Sequence, residues 1–575
     1  MQPSTDRPSG SGSGDRGRQL RRYGPLVAIL AVLAIVAGVL VFAGGDDGDD
    51  ETATDPGEET GGEVEGVLSF QEAEEQGRLD EVSFPEGCDE ERGRVAIPSF
   101  FAPPCYADIE GDNGGATATG VTGDTIKVVA YIAIDDDPIL GLITGSVGIE
   151  DTGDETAATY QGYRDLYQSY YQTYGREVEL VEYRATGTAL DEEAARADAQ
   201  AIADMEPFAV WGGPVLTSAF ADELAARQVI CFGCLGGGLP EWYDERSPYT
   251  VNVGKMGDQI RLTFVEYITK KLAGRNAEFA GDEAMHDQER VFGSVNLEIN
   301  EESATLAERF ESDLEDEGVE IAERVSYSFD PGRLQEQADQ IMARMKGAGV
   351  TTILFRGDPV APANLTQAAT SQDYFPEWVV DGGNLVDSTV FARTYDQEQW
   401  AHAFGVSSLT ARAEPLEQNY NYIYRWWTGE EPPARDTNPV LYPSPSLFFS
   451  ALQMAGPNLT PESLQAGLFN LEPTPEAITN PSISFGDHGI WPYTDYNGVD
   501  DATEIFWDPD ETGPDEINRD GTGMWRYVDG GKRYLYGEWD DEPSRAFQEE
   551  GSIAILDDPP EDERPPDYPS PAEDR

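Results

Sequence analysis

From Thr125 onward, short apolar runs that favour β-strands alternate with longer amphipathic segments that favour helices. The run at 125–134 is almost wholly apolar, as expected of a strand covered on both faces of a sheet. In the segment 190–205, Ala195, Ala199 and Ile202 fall on one stripe, which is typical of a helix packed on a sheet. Strands separated by helices form parallel βαβ units, so the pattern predicts a doubly wound α/β fold.

The alternation occurs twice along the chain. The first set closes with an apolar run at 229–233, and a second set begins with the run at 290–299. We therefore predict two Rossmann-like lobes joined by a hinge, with a cleft between them. In open α/β sheets ligands bind outside the carboxyl ends of the strands, so the turns that follow the strands are where a ligand is expected.

The charge of the chain restricts its partners. The sequence holds 38 Lys and Arg against 109 Asp and Glu, a formal net charge of −71. A polyanion of this kind is repelled by phosphate backbones, which excludes nucleic-acid binding as a function. We interpret the acidity as a property of a well-solvated surface, since net charge governs solubility and association more than fold.

A single long apolar segment stands near the beginning of the sequence. Leu26–Ala43 holds 18 residues without a charge, and as a helix it would measure about 27 Å, close to the thickness of a bilayer core. Arginines precede it and an acidic run follows it, so we expect a cytoplasmic N-terminus and an extracytoplasmic remainder. The length favours an uncleaved transmembrane signal anchor in the cell membrane. Cleavage near Ala43, which would release the protein, is the alternative.

Composition and periodicity together divide the chain into consecutive parts. The predicted parts are a basic cytoplasmic tail (1–25), the transmembrane anchor (26–43), an acidic linker with a disulfide-clamped, mostly irregular arm (44–118), lobe 1 (119–258), lobe 2 (259–404), helices returning to lobe 1 (405–480), a β-rich part of lobe 2 (481–540) and a disordered acidic tail (541–575).

The cysteines form two close pairs along the sequence, Cys88 with Cys105 and Cys231 with Cys234. In an oxidising compartment both pairs are candidates for disulfides. A Cys-x-x-Cys pair can alternatively be a redox motif or half of a zinc site, but the second half of such a site is missing. Whether Cys231 and Cys234 are bonded stays open at this point.

Motifs that would indicate catalysis or metal binding are not found in the sequence. The histidines lie far apart, and neither a G-x-S-x-G elbow nor a phosphate-binding P-loop is present. Asp135–Asp137 is interpreted as a surface acidic loop. Residues 508–519 partly resemble a calcium loop, but Arg519 stands where a bidentate glutamate is needed. We predict no catalytic residue, no cofactor and no metal, and hence no enzyme.

Three stretches resemble type I periplasmic binding proteins, and most closely the branched-chain amino-acid (Leu/Ile/Val) branch that serves ABC transporters. They read GVTGDTIKVVAYI, VWGGPVLTSAFADELAARQVICFGCLGGGLPEWY and SPYTVNVGKMGDQIRLTFVEYI. The resemblance covers roughly residues 120–540. It implies a monomer that closes two lobes on a small polar solute, an amino acid or a related amide or anion, and delivers it to an ABC permease in the same membrane. The alternative is a sensor or receptor ectodomain of the same fold that signals through a membrane partner.

The resemblance also implies which residues contact the solute. They are Gly212, Gly213, Pro214, Thr217 and Ser218 in the first turn, Cys234, Leu235 and Gly236 in the next turn, and Glu302, Arg356 and Asp381 in lobe 2. Glycines let a ligand approach the backbone closely. Where the family places a hydroxyl, the second turn of this chain has glycines. Arg356 suits an anionic group and Asp381 a cationic one, whereas Trp211 and Phe232 are expected in the core.

Overall fold

The computed structural model describes residues 68–109, 111–144, 147–213, 215–298, 301–330, 332–413 and 419–574. The predicted cytoplasmic tail, the anchor at 26–43 and most of the acidic linker lie outside the described residues. Within the described ranges, no helix is both long enough and apolar enough to cross a membrane.

The arm that precedes lobe 1 is held together by the disulfide Cys88–Cys105, as predicted. Its regular elements are α1 (Phe70–Glu75), β1 (Cys88–Asp89) and β2 (Arg94–Val95). Ser69 and Glu72 form a capping box at the start of α1, which satisfies backbone donors at the helix end. Val95, Ile97 and Ala102 belong to the buried core of lobe 1, so the arm is a packed part of that lobe.

Lobe 1 is built on a parallel sheet of five strands, counted among the residues that the structure describes. The strands are β3 (Thr125–Ile132), β4 (Glu177–Arg184), β5 (Ala209–Trp211), β6 (Ile230–Phe232) and β7 (Thr250–Val251). The order across the sheet is β4-β3-β5-β6-β7. The helices are α2 (Pro138–Thr144), α3 (Gly153–Tyr170), α4 (Glu192–Ala203), α5 (Ala219–Ala226) and α6 (Pro240–Asp244).

Lobe 2 repeats this arrangement and extends it. Its strands are β8 (Phe292–Leu297), β9 (Ile321–Tyr327), β10 (Thr352–Arg356), β11 (Glu377–Val380), β12 (Ala403–Ser407), β14 (Asp501–Pro514), β15 (Asp520–Tyr527) and β16 (Arg533–Leu535), and β13 (Arg412–Ala413) lies outside this sheet. Five strands run parallel in the order β9-β8-β10-β11-β12. Beyond them, β14 pairs antiparallel with β12, and β15 pairs antiparallel with β14 at the edge of the sheet. The helices are α7 (Gly257–Tyr267), α8 (Glu301–Asp316), α9 (Leu334–Gly347), α10 (Ala361–Ser371), α11 (Thr389–Ala392) and α12 (Gln397–Trp400).

The chain then returns to lobe 1. The returning helices are α13 (Asn419–Thr428), α14 (Asn438–Leu441), α15 (Pro443–Ala455) and α16 (Pro461–Phe469). Trp211 and Phe232 are fully buried against Phe448 of α15, which confirms their predicted place in the core. Segments 252–256 and 495–500 run side by side between the lobes, joined by the bridge between Asn252 and Asn497.

Two predictions about chain organisation need correction. Strand β12 runs to Ser407 and carries lobe 2 past the predicted boundary at 404. Residues 541–574, expected to be disordered, are folded onto the body of the protein and contain β17 (Ile555–Leu556). The acid- and proline-rich composition suggested disorder because it offers little apolar surface, but this segment is held by specific hydrogen bonds instead.

Candidate functional site

Each sheet has one place where the direction of winding reverses. In lobe 1 this switch point lies between β3 and β5, and in lobe 2 it lies between β8 and β10. Crevices at switch points, outside the carboxyl ends of strands, are where doubly wound sheets bind ligands. Gly212 and Gly213 follow β5 directly, and Arg356 is the last residue of β10. These three residues therefore stand at the switch points. Cys234 and Asp381 follow the next strands, β6 and β11.

The turns that follow the strands of the two lobes meet each other. In lobe 1, Ala189 and Leu216 lie in turns that follow strands, and Val147 lies between α2 and α3. In lobe 2, Leu297 ends β8 and Val360 follows β10. All of these side chains belong to one continuous cluster of buried apolar residues. The cleft between the lobes is therefore closed in this structure, with an apolar contact between the carboxyl ends of the two sheets.

Glu302 bridges the two lobes. It lies in the first turn of α8, and its carboxylate accepts hydrogen bonds from the backbone N–H groups of Gly238 (2.7 Å) and Leu239 (3.0 Å) in lobe 1. Burial raises the pKa of Glu302, and the two N–H donors oppose that rise. Further along α8, Arg309 forms an ion pair of 2.9 Å with Glu241 of lobe 1. The same face of one lobe 2 helix thus makes both contacts, since the two residues are seven apart.

Arg356 and Asp381 form a buried ion pair in lobe 2. Nε of Arg356 lies 3.4 Å from Oδ2 of Asp381, and both side chains are less than a tenth exposed. The guanidinium also stacks over the ring of Phe310 at 4.5 Å and donates to the carbonyl of Leu306. Burial raises the pKa of Asp381, opposed by the charge of Arg356, and burial lowers the pKa of Arg356. The two predicted residues are brought together, where they neutralise each other.

The first turn of lobe 1 begins with two glycines, Gly212 and Gly213. Gly212 has φ of +63°, a conformation that glycine adopts without strain, and its N–H donates to the carbonyl of Phe232 at 2.7 Å. Thr217 is buried, and its hydroxyl has no hydrogen-bond partner among the described residues. Ser218 is also buried, and its hydroxyl donates to Asp222 of α5 at 3.1 Å. Pro214 lies outside the described residues.

The second turn is fastened by a disulfide. Cys231, at the centre of β6, is bonded to Cys234, which answers the question that the sequence left open. Both cysteines belong to the buried core of lobe 1. Leu235 and Gly236 are buried as well, and the carbonyl of Cys234 accepts from Nδ2 of Asn252 at 2.8 Å, which ties the turn to the crossing segment.

Acidic residues from the two segments noted in the sequence, 135–137 and 508–519, bind other groups of the protein. Asp135 and Asp136 are exposed, as predicted for a surface loop. Asp137, in contrast to that prediction, is buried and accepts from the N–H of Ala189 at 2.8 Å. Asp508 and Glu511, from the segment with partial resemblance to a calcium loop, lie in β14 and pair with Arg526 of β15. Their carboxylates face a cation that the chain itself supplies.

Two buried polar residues, Asp387 and Lys255, carry no signal in the sequence. Asp387, between β11 and α11, is buried and accepts from the hydroxyl of Ser407, and burial raises its pKa to about 7. Lys255, in the first crossing segment, is buried beside Asp500 and Asp501, and burial lowers its pKa to about 8. A periodicity analysis could not identify these residues, because each is a single polar residue in a loop.

Neither a protein-family model nor a curated protein matches this sequence. Similar solved structures include a solute-binding protein of an ABC transporter from Rhodopseudomonas palustris BisB5 in complex with 3,4-dihydroxybenzoic acid, at 15% identity and TM-score 0.46, covering 70% of this chain and 97% of that one. A fatty acid ABC transporter substrate-binding protein from Thermomonospora curvata is 15% identical, with TM-score 0.44 and coverages of 73% and 95%. The branched-chain amino acid transporter substrate-binding protein LivJ from Streptococcus pneumoniae, in complex with isoleucine, is 15% identical, with TM-score 0.45 and coverages of 70% and 100%. At these identities the likeness is one of fold alone.

Proposed function

We propose that this protein is an extracytoplasmic solute-binding protein that captures a small polar solute by closure of its two lobes. The observation that carries the proposal is the meeting of two sheets of the same strand order at the carboxyl ends of their strands, bridged by Glu302. A solute held between such lobes contacts both of them and thereby favours the closed state over the open one. The chain acts as a monomer in this proposal.

The charged pair of lobe 2 supports a polar solute. Arg356 and Asp381 offer a cation and an anion at the end of adjacent strands, so a solute with a carboxylate, an ammonium or an amide can replace one partner of the pair. The unpaired hydroxyl of Thr217 in lobe 1 is a further hydrogen-bonding group. An amino acid or a related amide or anion is the solute class that uses these groups.

The proposal includes delivery of the solute to an ABC importer in the same membrane. The apolar segment 26–43 anchors the chain, with the two lobes on the extracytoplasmic side. Immunoblots of membrane and secreted fractions test the anchor: the full-length chain is expected in the membrane fraction, and a shortened, freely soluble product would contradict it. Uptake of the identified solute should fall when the gene is deleted and return when it is restored.

A thermal-shift screen tests solute binding directly. A ligand that binds only the folded state stabilises it by RT ln(1 + [L]/Kd), about 2.7 kcal/mol at a hundredfold excess over Kd. We expect at least one member of a panel of amino acids, amides, urea and small anions to raise the melting temperature. The shift should be reduced in Asp381→Asn and kept in the control Asp316→Asn, which changes an exposed residue of α8. If the whole panel leaves the melting temperature unchanged, the proposed solute class is wrong.

A further inference from the structure

Residues 553–572 run along the side of the molecule where the chain crosses between the lobes. We call this segment the strap. It begins on lobe 2, where Ile553 and Tyr527 of β15 exchange backbone hydrogen bonds of 2.7 and 3.0 Å. It continues as β17, which pairs in parallel with β13, the strand from which the chain leaves lobe 2. The strap is therefore attached first to lobe 2 and then to a crossing segment.

The middle of the strap is attached through a single carboxylate. Glu563 accepts hydrogen bonds from the N–H of Ile478 (3.0 Å), the N–H of Thr479 (2.8 Å) and the hydroxyl of Thr479 (2.7 Å). Residues 478 and 479 lie between α16 of lobe 1 and β14 of lobe 2, in the stretch by which the chain crosses back to lobe 2. Hydrogen bonds to a charged acceptor are the stronger kind, so this attachment is firm for a half-buried residue.

The far end of the strap is attached to lobe 1 and to the arm. The carbonyl of Tyr568 accepts from Nε1 of Trp426 in α13 at 2.9 Å. The hydroxyl of Tyr568 donates to the carboxylate of Asp89 at 2.6 Å and accepts from the guanidinium of Arg92 at 3.2 Å. Ser570 adds a hydrogen bond of 2.6 Å to the carbonyl of Trp426. One short segment thus connects lobe 2, two crossing segments, lobe 1 and the arm.

The composition of the strap suits a segment that connects separate parts of the molecule. Prolines recur throughout it, at 559, 560, 565, 566, 569 and 571. Proline fixes φ, so a segment this rich in proline is semi-rigid and loses little entropy on being ordered. Glu563 lies at the end of a 3-10 turn, Glu561–Glu563. A stiff segment attached on both sides of a hinge resists a change in the distance between its attachment points, which a flexible one would absorb.

We propose that the strap restrains the opening of the two lobes and couples the hinge to the arm. This inference rests on the lobe movement of the proposed function. Opening displaces lobe 1 relative to lobe 2, and it must then break the contacts of Glu563 or of Tyr568. Lobe opening is therefore limited by contacts that lie outside the cleft and share no residue with the candidate site.

Hydrogen exchange of the full chain, purified in detergent without added solute, tests the strap. The reporters are the N–H groups of Gly238 and Leu239, because they are protected by Glu302 across the cleft and make no hydrogen bond with the strap. In Glu563→Gln and in Tyr568→Ala we expect these amides to exchange roughly tenfold faster, since the open state becomes more populated. Tyr568→Phe, which loses only the hydroxyl contacts with the arm, should have a smaller effect.

The control is Glu561→Gln, which changes an exposed residue of the strap and should leave all exchange rates unaltered. Faster exchange confined to residues 553–572, with Gly238 and Leu239 unchanged, would overturn the proposal. The outcome is distinguishable from that of the solute screen. If the panel gives no thermal shift but the strap variants still accelerate exchange across the cleft, the restraint stands and only the proposed solute binding fails.

Discussion

Glu302 of lobe 2 accepts a hydrogen bond of 2.7 Å from the backbone N–H of Gly238 of lobe 1, so that a carboxylate from one lobe is held by the backbone of the other. Glu302 was expected to contact solute, and in this structure it contacts the facing lobe. The closed arrangement of the lobes is thus stabilised by a contact within the protein, and the effect of removing that contact can be measured.

Removal of the Glu302 bridge should favour opening of the lobes. In Glu302→Ala we expect the amides of Gly238 and Leu239 to exchange at least about tenfold faster, because a hydrogen bond to a charged group contributes about 1.5–3 kcal/mol. Glu302→Gln retains a neutral acceptor and should give an intermediate rate. Glu308→Gln, an exposed change on the same helix, serves as the control. Unchanged exchange in Glu302→Ala would show that this bridge does not hold the lobes together.

The ion pair between Arg309 and Glu241 should contribute much less. Its side chains are 38% and 61% exposed, and exposed pairs typically contribute less than about 1 kcal/mol because water and salt screen them. Glu241→Gln should therefore change the free energy of unfolding by under about 1 kcal/mol, and by still less at high salt. It leaves in place the second ion pair of Arg309, at 3.8 Å from the buried carboxylate of Asp258. Urea titrations at low and high ionic strength measure this difference. A large loss that persists at high salt would contradict the assignment.

Asp381→Asn should be strongly destabilising, because it leaves the guanidinium of Arg356 buried without its counter-charge. Breaking a buried pair by removing one partner typically costs about 3–5 kcal/mol. The double variant Arg356→Met with Asp381→Asn should recover part of that loss, since no uncompensated charge remains. Urea unfolding of the single and double variants gives the comparison. If the double variant is less stable than Asp381→Asn, the charge of Arg356 is not the cause.

Asp387 should make the protein less stable as the pH rises. Its pKa in the folded state is raised to about 7, so the folded state holds the proton more tightly than the unfolded chain does. The free energy of unfolding therefore decreases between about pH 4 and pH 7, by up to roughly 1.4 kcal/mol per pH unit, and this contribution is constant above that window. Asp387→Asn should remove this slope and stabilise the protein at pH 7. Unfolding curves that keep the same pH dependence in the variant would exclude Asp387 as its source.

The cysteines should resist alkylation. Cys105, Cys231 and Cys234 are buried, and all cysteines of the described residues are in disulfides. Intact-mass analysis after maleimide treatment in denaturant should show no adduct without reductant, and four adducts after reduction, one for each cysteine of the sequence. Two adducts without reductant would mean that one of the pairs is open.

Much of the fold was predictable because local patterns specify it. The strand at 125–134 and the helix at 190–205 were predicted within a few residues, since period and capping act within one element. Helix α3 begins at Gly153, directly after Thr152, which forms a capping box with Glu155. The strand ends beside which the candidate residues lie could be predicted from the sequence, but the pairings of those residues could not.

The sequence by itself determined the two α/β lobes, the pairing of Cys88 with Cys105 as a candidate disulfide, and the strand ends at which polar residues gather. Only the tertiary structure decided that Arg356 faces Asp381, that Glu302 reaches Gly238, and that a proline-rich, acidic segment folds back to Trp426 and Asp89. The physical reason is separation along the chain. Periodicity reports on neighbours within a turn or a strand, whereas these contacts join residues that the packing of separate elements brings together.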